Sequence, residues 1–159
     1  KLEVSDLIVA EQIIDVESSA EFVPDQRWLH LAQNVSTPEN YKVISGILIT
    51  ADKVIHSPID KKEFGERFSA EAVEMETSAI AKVSTDKNLP FLSVRAISDS
   101  VEQEILDSSS FLGSDGEISK LKAGWYVLTH PGSISSALSL RSQTQQATRT
   151  MTDFISNLL

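Results

Sequence analysis

Three short apolar runs rich in β-branched residues, at 4–10, 43–50 and 91–97, constrain this chain most. Runs of this length and composition read as buried strands rather than helices. Ile13-Ile14 extends the first of them, and 72–75 reads as a further brief strand. Between the runs the pattern turns helical. Pro24-Asp25 opens a helix with Trp28, Leu29 and Ala32 on its buried side, and 36–40 is a turn cluster. A short surface helix is predicted at 61–68. A second helix is predicted at 77–87, with Ala79, Ile80 and Val83 as its apolar side. Asn88 can cap that helix, and Pro90 stops it. Strands alternating with helices predict an α/β layered sheet, and near-continuous apolar strands fit a sheet covered on both faces.

The remainder is less regular. Residues 101–116 carry several acids and a serine run, and read as a loop or lid over the strand ends. Ile118, Leu121, Trp125 and Leu128 are in helical phase. His130-Pro131-Gly132 then precedes a long last helix marked by Ile134, Leu138, Met151, Phe154, Ile155 and Leu158. No repeat or linker divides the chain, so 1–159 is read as one domain, long enough to bury a core without staples.

Composition narrows the chemistry. The formal net charge of −9 disfavours a nucleic-acid backbone or an anionic membrane as partner. Without cysteine there are no disulfides, thiolate nucleophiles or cysteine-ligated metals, which is compatible with a cytoplasmic location. No apolar run reaches the length of a membrane span. His30, His56 and His130 have no metal-ligand spacing, and phosphate-cradling glycine loops are absent. Ser98, His56 and Asp52 could compose a hydrolase triad, but no nucleophile elbow supports one. Asp99, after the run 91–97, lies at a strand's carboxyl end, the edge where open α/β sheets bind ligands. The plain alternative for such an aspartate is a turn former or helix cap. Arg95, inside the apolar run, requires a partner, and a structural ion pair is the expected one.

Val73-Glu74-Met75-Glu76, a small-residue helix, a Pro-Phe strand and then Arg95-Ala96-Ile97-Ser98-Asp99 resemble the nucleoside phosphorylase and nucleosidase superfamily. Ser5 to Ala10 is similar to that family's central strand, and Thr50-Ala51-Asp52-Lys53-Val54-Ile55 to its Ser-Gly-Asp-x-Phe-Ile segment. The resemblance covers about the first two-thirds of the chain. Further on, Ser114-Asp115-Gly116-Glu117, Trp125, His130-Pro131-Gly132 and a helix with Leu138 and Arg141 are similar to the hopanoid-associated phosphorylases. The implied fold is a three-layer α/β/α arrangement with a mixed central sheet, lacking the family's N-terminal strands.

The implied activity is cleavage of the N-ribosidic bond of an adenosine-type purine nucleoside by phosphate or water, without another cofactor. Bond cleavage leaves positive charge on the ribose and negative charge on the departing purine. By resemblance, Asp99 is the general acid at the base and Glu76 holds the ribose hydroxyls. Met75 packs on the sugar. Val54 and Ile55 line the base, with Val54 standing where the nucleosidases have an aromatic. Glu74 is expected to have a structural or solvent role rather than a catalytic one. The resemblance also implies a homo-oligomer. The alternative is a non-catalytic domain of the same fold that binds nucleoside or assembles with partners, because the family's nucleophile-side segments are expected upstream of the strand that begins this chain.

Overall fold

The computed structural model describes residues 1–103 and 132–159, with the backbone alone for 132–141. The expectations for 104–131, including the body of the lid and Trp125, and those for the side chains of Ile134, Leu138 and Arg141, lie outside the described residues. The strands are β1 (Leu7–Asp15), β2 (Glu21–Phe22), β3 (Val43–Thr50), β4 (Ala72–Glu74) and β5 (Val94–Ala96). The helices are α1 (Gln26–Gln33), α2 (Pro58–Phe68), α3 (Thr77–Asp86) and α4 (Gly132–Leu158).

The sheet is mixed. β1 runs parallel to β3, and β3 parallel to β4. β2 and β5 both pair antiparallel with β1, β2 at Ile13 and Ile14 and β5 at Leu7 to Val9. Alternation along β1 divides two cores. Leu7 and Val9 pack with Leu29 and Ala32 of α1, Tyr41, and Phe154 of α4. Ile8, Ala10 and Ile13 pack with Leu48 of β3 on the other face. The register shifts between Ala10 and Gln12, a bulge that brings Ile13 onto the same face as Ile8 and Ala10.

Local chemistry sets the helix ends. Asp25 caps α1, accepting from the Arg27 and Trp28 amides at 3.0 and 3.3 Å. Ser57 accepts from the Asp60 amide at 3.1 Å, and Pro58 occupies the first position of α2. Ser69 and Asn88 take positive φ values of 50° and 53° just past α2 and α3, turning the chain back toward the sheet.

Five expectations change. β1 begins at Leu7 rather than residue 4, and β5 is shorter than the run 91–97, although the Ser93 carbonyl still accepts from the Ala10 amide at 2.9 Å. Trp28 is 38% exposed, whereas Leu29 and Ala32 are buried as expected. The apolar side of α3 faces out, with Ile80 and Val83 about 60% exposed; its buried side is Thr77, Ser78 and Ala81. These small residues allow α3 to approach the sheet closely enough for Ser78 Oγ to donate to Asp15 at 2.6 Å. Finally, α2 is not wholly a surface helix, because Lys61 is buried.

Candidate active site

β3 and β4 end side by side at Thr50 and Glu74. There Glu74 turns inward and organises the start of α3. One carboxylate oxygen accepts from Thr50 Oγ1 at 2.6 Å; the other accepts from the Glu76 and Thr77 amides, both at 2.9 Å. Ser78 N in turn donates to Thr50 Oγ1 at 3.0 Å. The Glu74 carboxylate thus satisfies amides that a helix start leaves unpaired, the structural role expected of it.

Arg95 projects from β5 toward this junction. Its guanidinium lies 2.7 Å from a Glu76 carboxylate oxygen and 3.4 Å from one of Glu74. The expected ion pair for an arginine within an apolar run is therefore present, and one of its partners is the proposed ribose ligand.

Asp99 lies three residues beyond β5. Because β5 opposes β1, the chain leaves the sheet where β1 begins: the Ser5 amide donates to the Ile97 carbonyl at 2.9 Å and the Ile97 amide to the Asp6 carbonyl at 2.8 Å. The rule that ligands bind beyond the carboxyl ends of parallel strands therefore does not place Asp99, since its strand is antiparallel. What relates Asp99 to Glu74 is the sheet face between them. A cavity of about 490 Å³ opens there, with Leu48, Phe64, Glu74, Arg95, Lys61 and Asp99 among its walls. Two donors orient the Asp99 carboxylate: Lys61 Nζ at 2.6 Å from Oδ2, and Ser98 Oγ at 2.9 Å from Oδ1.

The other predicted ligands are placed differently. The Glu76 side chain is 65% exposed at the end of the Arg95 pair. Met75 is 45% exposed, Val54 is 36% exposed and Ile55 is buried, and none of the three lines the cavity beside Asp99. Lys61 was missed by sequence reasoning; among Asp60, Lys62, Glu63 and Glu66 it reads as part of a solvated face. Among the described residues no group of histidine and acidic side chains could hold a metal ion, and no helix is long and apolar enough to cross a membrane.

Two carboxylates near the strand ends titrate below their ordinary range. For Glu74, burial pushes the pKa up, but the hydrogen bonds from Thr50, the Glu76 amide and Thr77 outweigh it and the net shift is downward. For Asp15 the Ser78 hydroxyl is the main cause, with the Ser18 amide and hydroxyl adding to it. These bonds exist only in the folded chain, so the unfolded carboxylates take up protons first as the pH falls. Their contribution to stability is whole above about pH 4 to 5, the unfolded range, and is lost as the pH drops through the folded values. The urea midpoint is expected to be flat from neutral pH to about pH 5 and to fall below about pH 4. Glu74→Gln should lessen that fall.

A mixed sheet with helices and a carboxylate-bearing cavity on one face defines an α/β protein with a small-molecule type of site. The chain belongs to the phosphorylase superfamily, whose family model matches residues 1–122. It is 33% identical over 90 residues to a 5′-methylthioadenosine/S-adenosylhomocysteine nucleosidase of Shewanella pealeana, an alignment covering 55% of this chain and 39% of that protein. It is 30% identical over 118 residues to the aminodeoxyfutalosine nucleosidase of Helicobacter pylori, covering 65% and 51%. In structure it is similar to the methylthioadenosine/S-adenosylhomocysteine nucleosidase of Neisseria meningitidis in complex with methylthio-immucillin-A, with a TM-score of 0.68 at 20% identity over 99% of this chain and 62% of that one. The chain thus spans about half the length, or less, of the curated relatives it matches.

Proposed function

We propose that this chain carries the base- and ribose-recognising part of a site that hydrolyses the N-ribosidic bond of an adenosine-type purine nucleoside. Asp99 delivers a proton to the departing base, and Glu76, steadied by Arg95, accepts hydrogen bonds from the ribose hydroxyls. The observation carrying the reading is that cavity wall: Asp99 oriented by two donors, and Arg95, on the strand leading to it, paired with Glu76. As the glycosidic bond breaks, the purine gains the electron pair and needs a proton, while the ribose becomes cationic and favours a nearby carboxylate. Met75, Val54 and Ile55 complete the reading as sugar and base contacts on the Glu76 side. Water as the nucleophile, rather than phosphate, is supported by the relatives, both named nucleosidases.

The test is release of adenine from 5′-methylthioadenosine and from adenosine by the purified chain, with and without phosphate. Phosphate-independent release is expected. Release that requires phosphate makes the reaction a phosphorolysis. Nucleoside binding without release, by a folded chain, favours a non-catalytic binding domain.

A further inference from the structure

We infer that Lys61 is a positioning residue for Asp99, holding its carboxylate against the cavity and pinning the segment that follows it; the inference rests on reading Asp99 as the acid at the base. The Lys61 side chain is only 6% exposed. Its ammonium donates to Asp99 Oδ2 at 2.6 Å, to the Gln103 carbonyl at 2.8 Å and to the Ser100 carbonyl at 3.2 Å. All three of its donors are used, and all three acceptors lie within the five residues from Asp99 to Gln103.

This is an expensive way to hold a helix. A cation near a helix N-terminus opposes the macrodipole, and a buried ammonium loses its hydration. Replacing both members of a buried ion pair by apolar side chains is often neutral or stabilising, so the pair is not required merely to fill this space. The start of α2 is secured independently, by Ser57 Oγ on the Asp60 amide at 3.1 Å and by the Lys61 amide on the Ser57 carbonyl at 3.0 Å. The ammonium is thus spare for the helix, and what it specifies is where the Asp99 carboxylate stands. A rigidly held acid has less reorganisation to undergo when the base departs.

The experiment compares Lys61→Met, Lys61→Arg, Asp99→Asn and the Lys61→Met/Asp99→Asn double variant in the full chain. Amide hydrogen exchange across 99–103 is measured without ligand, and adenine release is measured from 5′-methylthioadenosine. Lys61→Met is expected to keep its circular dichroism and to raise exchange across 99–103 by about tenfold or more. It should lower kcat by about 10- to 100-fold with KM within about twofold, as misplacement of a reacting group does. Lys61→Arg should recover most of the loss, and Lys61→Met should cost little further in the Asp99→Asn background. Unchanged exchange across 99–103 overturns the inference, as does a kcat loss that adds in full to that of Asp99→Asn. If exchange rises but Asp99→Asn releases base as fast as the parent, or the parent releases none, Lys61 still positions the segment and the acid assignment of Asp99 is what fails.

Discussion

Asp99→Asn is expected to lower the turnover of base release by about 10²- to 10⁴-fold, the range that general-acid assistance supplies. That corresponds to about 3 to 5 kcal/mol of transition-state stabilisation. Asparagine is nearly isosteric and keeps a carbonyl oxygen to accept from Lys61 Nζ, so the buried ammonium retains a partner. Loss of the charge on that bond should cost only about 1 to 2 kcal/mol in folding. Initial rates of adenine release, set beside thermal unfolding of the same preparation, separate the two quantities. A variant whose lost activity is accounted for by lost folded protein would make Asp99 a structural cap, the plain role of an aspartate after a strand.

Glu74→Ala is expected to have the opposite profile: a stability loss of about 3 to 5 kcal/mol, as for removing one partner from a buried charged network. Its side chain is only 7% exposed and accepts from the Thr50 hydroxyl and from the Glu76 and Thr77 amides. Alanine leaves those amides at the start of α3 unpaired and leaves Arg95 with Glu76 alone among the described residues. Urea unfolding monitored by circular dichroism reads the effect directly. A loss below about 1 kcal/mol, the range of ordinary surface substitutions, would mean that α3 is anchored elsewhere, for instance by Ser78 on Asp15.

Much of the layout was legible because strand and turn chemistry are local. The β-branched runs became β1 and β3, Pro24-Asp25 became a helix start and Asn88 a helix end, while α2 begins at Pro58, earlier than the expected 61. The order Glu74-Met75-Glu76 followed by Arg95 to Asp99 also pointed to the superfamily that the chain belongs to. Strand direction is not local. Nothing within 91–97 says that it pairs antiparallel with β1, and so the edge argument for Asp99 failed while Arg95 crossed the face to its partners. The two-residue β2 is held by only two register pairs with β1, too short to carry a pattern. In α3, helical spacing offered two stripes, Ala79-Ile80-Val83 and Thr77-Ser78-Ala81. Hydropathy chose the first; hydrogen bonds from Ser78 and close approach to the sheet selected the second. Lys61 escaped notice because a lysine among acids on a helix is ordinarily solvated, and its acceptors arrive from about forty residues away.

The bulge between Ala10 and Gln12 works as a parity switch. Before it, even-numbered residues of β1 face the core shared with Leu48; after it, odd-numbered ones do, which is how Ile13 joins Ile8 and Ala10 and how Asp15 comes to meet Ser78. Deleting Glu11 would remove the extra residue, so that Gln12 opposite Ile47 would follow Ala10 opposite Gly46 directly and every later position of β1 would keep its face. The bulge thus lets β1 carry one additional exposed, polar residue without exchanging inside for outside at any later position, at a place that touches neither Asp99 nor Glu76.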